Sequence, residues 1–256
     1  MTNYKSQHLK NLNTTQFIAN VNKWLTVIYN WILDFVFPKK CVGCKTDGSF
    51  LCSACEGKIE YLTTQVCLVC QKPSVKGFTH PNCATIYTPE RLYSPFVYKG
   101  VIRNAILETK YSGAFAVLDP LLNIFVEAVL ESALEIGDKA IVIPIPLHRS
   151  RYTKRGFNQA TYIASRIADA FNVSCHTNIL QRIVNTKSQD GKDKEARREN
   201  VKNAFGINPK TSSILKDSDI VLVDDVGTSG ATMLSASKAL KRAGCRYIYC
   251  LCLAKD

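Results

Sequence analysis

Seven of the eleven cysteines fall between positions 41 and 83, and their spacing is regular. They run Cys41-x-x-Cys44, Cys52-x-x-Cys55 and Cys67-x-x-Cys70, followed by His80-x-x-Cys83. A C-x-x-C turn aims two sulfurs at one ion, and two such turns close a tetrahedral structural zinc site. Eight ligands suffice for two sites. Sequential grouping places Cys41, Cys44, Cys52 and Cys55 on one Zn2+ and Cys67, Cys70, His80 and Cys83 on the other; a crossed grouping satisfies the same spacing. Thiolate-rich, closed ligand sets suit Zn2+ better than Mg2+ or Ca2+, and no open position is suggested, so both sites read as structural. An odd cysteine count argues against a disulfide framework. The segment has few large apolar residues, so the metal is expected to supply its stability. Cys175, Cys245, Cys250 and Cys252 read as small buried hydrophobes.

A second constellation lies at Ile220-Val-Leu-Val-Asp224-Asp225-Val226-Gly227-Thr228-Ser229-Gly230-Ala231-Thr232. Four apolar residues run into two carboxylates, then a loop of small residues, then a helix. Such a loop offers backbone N–H groups and hydroxyls to a phosphate, and the helix start adds the positive end of its dipole. Paired carboxylates beside an anion cradle would repel a bare phosphate. They fit if they accept hydrogen bonds from sugar hydroxyls of the same ligand, so the inferred ligand is a 5-phosphorylated ribose. Other phosphate motifs fail. Neither Gly-Lys pair completes a P-loop, there is no GxGxxG, and too few residues follow Asp225 for a phospho-receiver site.

These groups need elements to position them. From about residue 91 the chain alternates short apolar runs with helical patterns. Strands are expected at 91–98, 140–146, 219–223 and 247–253, and helices at 101–111, 115–134, 157–171 and 229–242. That alternation predicts an α/β domain with a mainly parallel sheet, whose ligands bind at the carboxyl ends of the strands. Residues 17–37 carry apolar and aromatic residues at helical spacing, ending at Pro38. Lys23, Asp34 and several Asn argue against a membrane span, and no small-residue cleavage site precedes Pro38. An amphipathic helix docked on the protein is expected, with peripheral membrane contact through Trp24 and Trp31 as the alternative. The expected organisation is therefore a helix in 1–40, a double zinc ribbon in 41–90 and an α/β domain in 91–256, in a cytoplasmic protein.

The 256 residues carry 33 Lys+Arg against 21 Asp+Glu, a formal charge of +12, with 46% hydrophobic residues. This composition excludes disorder, collagen and coiled coil, and the charge favours phosphorylated partners. Residues 145–168 contain five Lys/Arg and no Asp/Glu.

The stretch 220–232 resembles the phosphoribosyl-pyrophosphate (PRPP) motif of type I phosphoribosyltransferases. Ile143-Pro144-Ile-Pro146 with Arg149, Arg151 and Arg155-Gly-Phe-Asn158-Gln159 resembles the signature of the ComF (GntX-like) competence family. Gln189 followed by Arg197-Arg-Glu-Asn200-Val-Lys-Asn-Ala-Phe205 resembles a second block of that family, and the CxxC ribbon fits it too. His80 departs from it, since Cys is usual there. The resemblance covers nearly all of 31–254. It implies a type I phosphoribosyltransferase-like fold, with Asp224 and Asp225 on the ribose hydroxyls and Val226 to Thr232 around the 5-phosphate. It places Pro144, Arg149, Arg151 and Arg155 toward pyrophosphate, with Mg2+ bridging ligand oxygens. It implies a flexible loop over the ligand containing Lys187, Gln189, Arg197 and Asn200. The implied role is in natural transformation, with single-stranded DNA and a competence helicase as partners. Two functions follow: a phosphoribosyltransferase with an unread acceptor, or a DNA-binding factor for which PRPP is only a regulatory ligand.

Overall fold

The computed structural model describes residues 38–113, 115–137, 139–184 and 203–256. The helix expected over 1–40 therefore lies outside the described residues except for its last three positions. So do Lys187, Gln189, Arg197 and Asn200.

The main body is a parallel sheet. Its strands are β1 (Arg91–Tyr93), β2 (Phe96–Val97), β3 (Ala140–Pro144), β4 (Ser174–Cys175), β7 (Asp219–Gly227) and β8 (Ile248–Lys255). They run in the order β1-β8-β7-β3-β4, with β2 continuing beside β8, and every pairing is parallel. β5 (Leu180–Arg182) and β6 (Phe205–Ile207) form a separate antiparallel pair. The single strand expected at 91–98 is split, because Ser94-Pro95 breaks the ladder and proline supplies no N–H. The helices are α1 (Gly100–Ser112), α2 (Asp119–Glu131), α3 (Arg149–Arg155), α4 (Gln159–Phe171) and α5 (Ala231–Arg242).

A parallel sheet must be covered on both faces, and the inner strands alternate accordingly. Val221, Val223, Leu251 and Leu253 point to one cluster with Ile106 of α1, Phe125 of α2 and Ile163 and Ile167 of α4. Ile220, Leu222, Ile248, Cys250 and Cys252 point to the other, with Met233 and Leu240 of α5 and Phe205 of β6. Cys250 and Cys252 are fully buried, and burial pushes the Cys250 thiol far up, as suits an inert core residue. At the amino edge of the sheet, Arg246 closes a fork on Asp219, with both N–H···O distances 2.8 Å.

The ribbon is built into this body. Val42, Leu51 and Ile59 belong to the first core cluster and Leu68 to the second. This modifies the expectation that the metal alone stabilises residues 41–90, because the apolar residues of the ribbon, though few, are buried against the sheet's helices. Backbone-like pairing adds to it. The Gln65 amide donates to Ser94 O and accepts from Ser94 N–H, at 2.9 and 3.0 Å.

Candidate functional site

Two parallel strands, β3 and β7, deliver their carboxyl ends to the floor of a cavity of about 620 Å3. β7 brings Asp224 and Asp225, and Thr232 follows on the first turn of α5. The exit from β3 brings Ile145 and Leu147, whose chain then turns into α3. Arg151 and Arg155 of α3 line the same cavity. α3 has no counterpart among the expected helices, since Arg-Ser-Arg-Tyr-Thr-Lys-Arg has no apolar periodicity. Local capping specifies it. His148 Nδ1 accepts from Ser150 N–H at 3.3 Å, and Gly156 ends the helix at φ +80.

The family-like Asn158-Gln159 pair has a visible job. Asn158 Nδ2 donates to Ile145 O at 2.9 Å and ties the start of α4 to the strand exit. Gln159 is buried, and its Oε1 accepts from Arg155 Nη1 at 2.9 Å, which holds the guanidinium over the cavity. Gln159 Nε2 finds no partner among the described residues.

Four further residues that the motifs do not mark line the cavity. Lys110, in the last turn of α1, pairs with Asp225 Oδ2 at 2.6 Å. Arg182 reaches in from β5, stacked on the Phe205 ring at 5.4 Å. Tyr98 and Arg103 form the wall beside them. No spacing in the sequence marks Lys110 or Arg182. Each belongs to a different element from the carboxylates it faces, and only the fold joins them.

The electrostatics are those of a half-buried carboxylate pair facing a cluster of cations. Burial, reinforced by the neighbouring Asp225 charge, pushes Asp224 up to about 8, against the pull of Lys110 and Arg182. Burial opposes the Lys110 charge, but Asp225 outweighs it and holds the ammonium above its usual value. Burial and the mutual repulsion of cations lower Arg151, beside Arg155, and Arg182, beside Arg151. Clustered guanidinium forks are suited to phosphate oxygens.

The structure thus gathers Asp224, Asp225, Thr232, Arg151 and Arg155 around one cavity. Pro144 ends β3 just before it. Arg149 is exposed on α3 and does not line it. Val226 and Gly227 are still strand, so the loop proper is Thr228 to Gly230. Thr228 is exposed, its carbonyl accepting from Lys255 Nζ at 2.9 Å, whereas Ser229, Gly230 and Ala231 are buried.

The metal ligands assemble as the sequential grouping expects. Cys41, Cys44, Cys52 and Cys55 offer ligand atoms within 4.8 Å of one another, and so do Cys67, Cys70, His80 and Cys83. In the first set, burial raises the Cys41 thiol, but backbone N–H groups of Cys44, Cys52 and Gly43 bring it down to about 6. Burial and its sulfur neighbours push Cys55 up to about 12. Four ligand sulfurs this close to one another are a donor set suited to a dication. His80 fits despite being the unusual ligand. Its Nδ1 lies 3.3 Å from Cys70 Sγ, and its Nε2 is 3.1 Å from Pro73 O. Nε2–H donation to that carbonyl leaves Nδ1 free to ligate, the usual outer-shell arrangement.

The parallel sheet with a paired-Asp strand end, a small-residue loop and a flanking double ribbon define a phosphoribosyltransferase fold joined to zinc knuckles. Family models agree: residues 32–85 match the double zinc ribbon domain and residues 154–256 the phosphoribosyl transferase domain. Competence protein F of Haemophilus influenzae is 26% identical over 225 residues, covering 81% of this chain and 97% of that protein. The DNA utilization protein YhgH of Salmonella typhimurium is 24% identical over 214 residues, 79% of this chain and 89% of that one. Competence protein ComFC of Bacillus subtilis is 23% identical over 201 residues, 76% and 79% of the two chains. Over most of its length the chain is similar to these competence and DNA utilization proteins. Among solved structures, the purine phosphoribosyltransferase of Pyrococcus horikoshii is similar at 17% identity and a TM-score of 0.32, covering 54% of this chain and 72% of that one. The adenine phosphoribosyltransferase of Leishmania tarentolae is similar at 14% identity and 0.32, covering 66% and 81%. Among the described residues, no helix is long and apolar enough to cross a membrane.

Proposed function

We propose that this chain binds PRPP with Mg2+ at the β3–β7 edge and transfers its phosphoribosyl group to an acceptor during DNA uptake. The observation that carries the reading is the Asp224–Asp225 pair set in a cavity ringed by Lys110, Arg151, Arg155 and Arg182. Asp224 and Asp225 accept from the ribose hydroxyls, and Thr228 to Thr232 take the 5-phosphate. Arg151 and Arg155, the latter steadied by Gln159, receive pyrophosphate. Mg2+ would supply charge neutralisation between the ligand oxygens. The acceptor's lone pair attacks C1, the C1–O bond to pyrophosphate breaks, and pyrophosphate leaves with the bonding electrons. The protein then contributes position and preformed charge, the two largest sources of acceleration for such a step. Residues 41–90 act as the ribbon and 91–256 as the transferase unit. The names of the relatives, competence and DNA utilization proteins, support the setting.

The test is pyrophosphate release from PRPP and Mg2+ with bases, amines and single-stranded DNA as acceptors. Turnover that is lost in the Asp224→Ala, Asp225→Ala double variant is expected. No release with any acceptor, together with PRPP binding, would favour a second reading in which PRPP is regulatory and the protein binds single-stranded DNA. Exposed Tyr111, which lines a surface cleft with Arg151 and Lys154, and exposed Tyr152 on the same helix as those cations favour that alternative, since aromatic faces and cations suit unpaired bases and phosphates. DNA binding of that kind weakens steeply with salt.

A further inference from the structure

The second zinc knuckle and the loop after β7 are in direct contact. Gly230 sits at φ +75 at the start of α5. A Cβ placed on it would lie 2.6 Å from Leu68 Cδ1, 2.9 Å from Leu68 O and 3.1 Å from Gln71 Nε2. No side chain fits there, so the loop backbone lies flat on the turn from Cys67 to Gln71. Leu68 directly follows the ligand Cys67, and Gln71 directly follows the ligand Cys70. The turn is closed by Gln71 N–H donating to Cys67 O at 2.9 Å, and Gln71 Nε2 donates to Leu68 O at 2.6 Å. Leu68 is 1% exposed and shares a core cluster with Ala231 and Met233 in the first turn of α5. The other zinc site backs a different wall. A Cβ on Gly43 would meet Cys55 Sγ at 2.5 Å and Val101 Cγ2 of α1 at 3.2 Å.

We propose that Leu68 and Gln71 are positioning residues for the phosphate loop, and that filling of the second zinc site sets affinity for the 5-phosphate end of the ligand. A loop that offers backbone N–H groups binds well only if it is held in shape beforehand, because ordering it on binding costs affinity. The metal-closed turn is the floor that holds Thr228 to Gly230 in shape. The pyrophosphate end is held by α3 and Gln159 instead. The inference rests on the phosphoribosyl reading above.

Calorimetric titration of ribose 5-phosphate and of pyrophosphate with Mg2+ separates the two ends of the site. Zinc content is measured alongside. Gln71→Gly keeps all four metal ligands and relieves the left-handed backbone of Gln71 (φ 60), so its effect reports the lost amide. Its expected result is ribose 5-phosphate binding weakened roughly three- to tenfold, the span of one hydrogen bond, with pyrophosphate affinity and zinc content unchanged. Cys83→Ser, with the second zinc lost, should weaken ribose 5-phosphate further in the same selective way. Unchanged ribose 5-phosphate affinity in both variants overturns the inference, and so does an equal loss for both probes. If the unaltered protein binds neither probe, the phosphoribosyl reading itself fails.

Discussion

At Asp224 the proposed ligand site and the stability of the fold pull apart. Its carboxyl is pushed up to about 8 by burial and by Asp225, whereas in an unfolded chain it titrates at about 4. Between those values the folded protein keeps a proton that the unfolded chain gives up, so stability falls as pH rises through that window. Asp224→Asn removes this loss. Its melting temperature should exceed that of the unaltered protein increasingly from about pH 4 to about pH 8. Parallel pH profiles for the two proteins would show that the carboxylate is not under this pressure. Lys110 is the counterweight. Lys110→Met leaves Asp225 without its 2.6 Å partner in a pocket where both side chains are about a fifth exposed or less. A cost of about 1–3 kcal/mol in urea unfolding is expected, below that of a fully buried pair. An unchanged midpoint would mean that water already screens the contact. These partnerships explain what is hard to see in the chain. The carboxylates announce themselves in thirteen consecutive residues, but Lys110 and Asp225 are far apart in sequence, and nothing near Lys110 distinguishes it from a solvated lysine.

At the scale of elements, the sequence is most legible where a pattern is local. β7 follows from an unbroken apolar run and α5 from the helical pattern expected at 229–242, although the helix begins only at Ala231. The metal grouping follows from spacing, because a knuckle is specified by a few adjacent residues. α3 and the β5–β6 pair are not legible. The first depends on a histidine cap, and the second pairs segments on either side of 185–202 in sequence. The knuckles themselves should behave as separable metal sites. Native mass spectrometry is expected to count two zinc ions per chain, and one after Cys44→Ser, with the His80-containing site still filled. Retention of two ions in that variant would mean that the ligand sets are not divided as the distances indicate. Strong chelation should lower the thermal midpoint and direct the first proteolytic cuts into residues 41–90, since metal and fold are linked in such modules.

Across the whole molecule, ribbon and sheet share their interior. Val42, Leu51, Ile59 and Leu68 lie among residues of α1, α2 and α5, so the boundary near residue 90 divides the chain more than it divides the core. Deleting residues 38–90 should therefore not release a well-packed α/β body. The truncated chain is expected to bind a hydrophobic dye and to lose near-ultraviolet circular dichroism, the marks of a loosely packed state. A truncated chain with a sharp, cooperative thermal transition would refute this. Charge is spread over both parts, +4 in residues 1–90 from 9 basic and 5 acidic residues and +8 in 91–256 from 24 and 16. Within the cavity it takes the form of Lys110, Arg151, Arg155 and Arg182 lining the same space as Asp224 and Asp225.

The strand order also carries a consequence for how the protein is made. Among the described strands β8 comes latest in the chain, yet it is an inner one, lying between β1 and β7. Until it emerges, β1 and β7 have no neighbour to join them, and the apolar faces of α1, α2 and α4 cover an incomplete sheet. The knuckles need only nearby residues and can close early, as amino-terminal units generally do during synthesis. A nascent chain would then carry loaded zinc sites with Leu68 still uncovered.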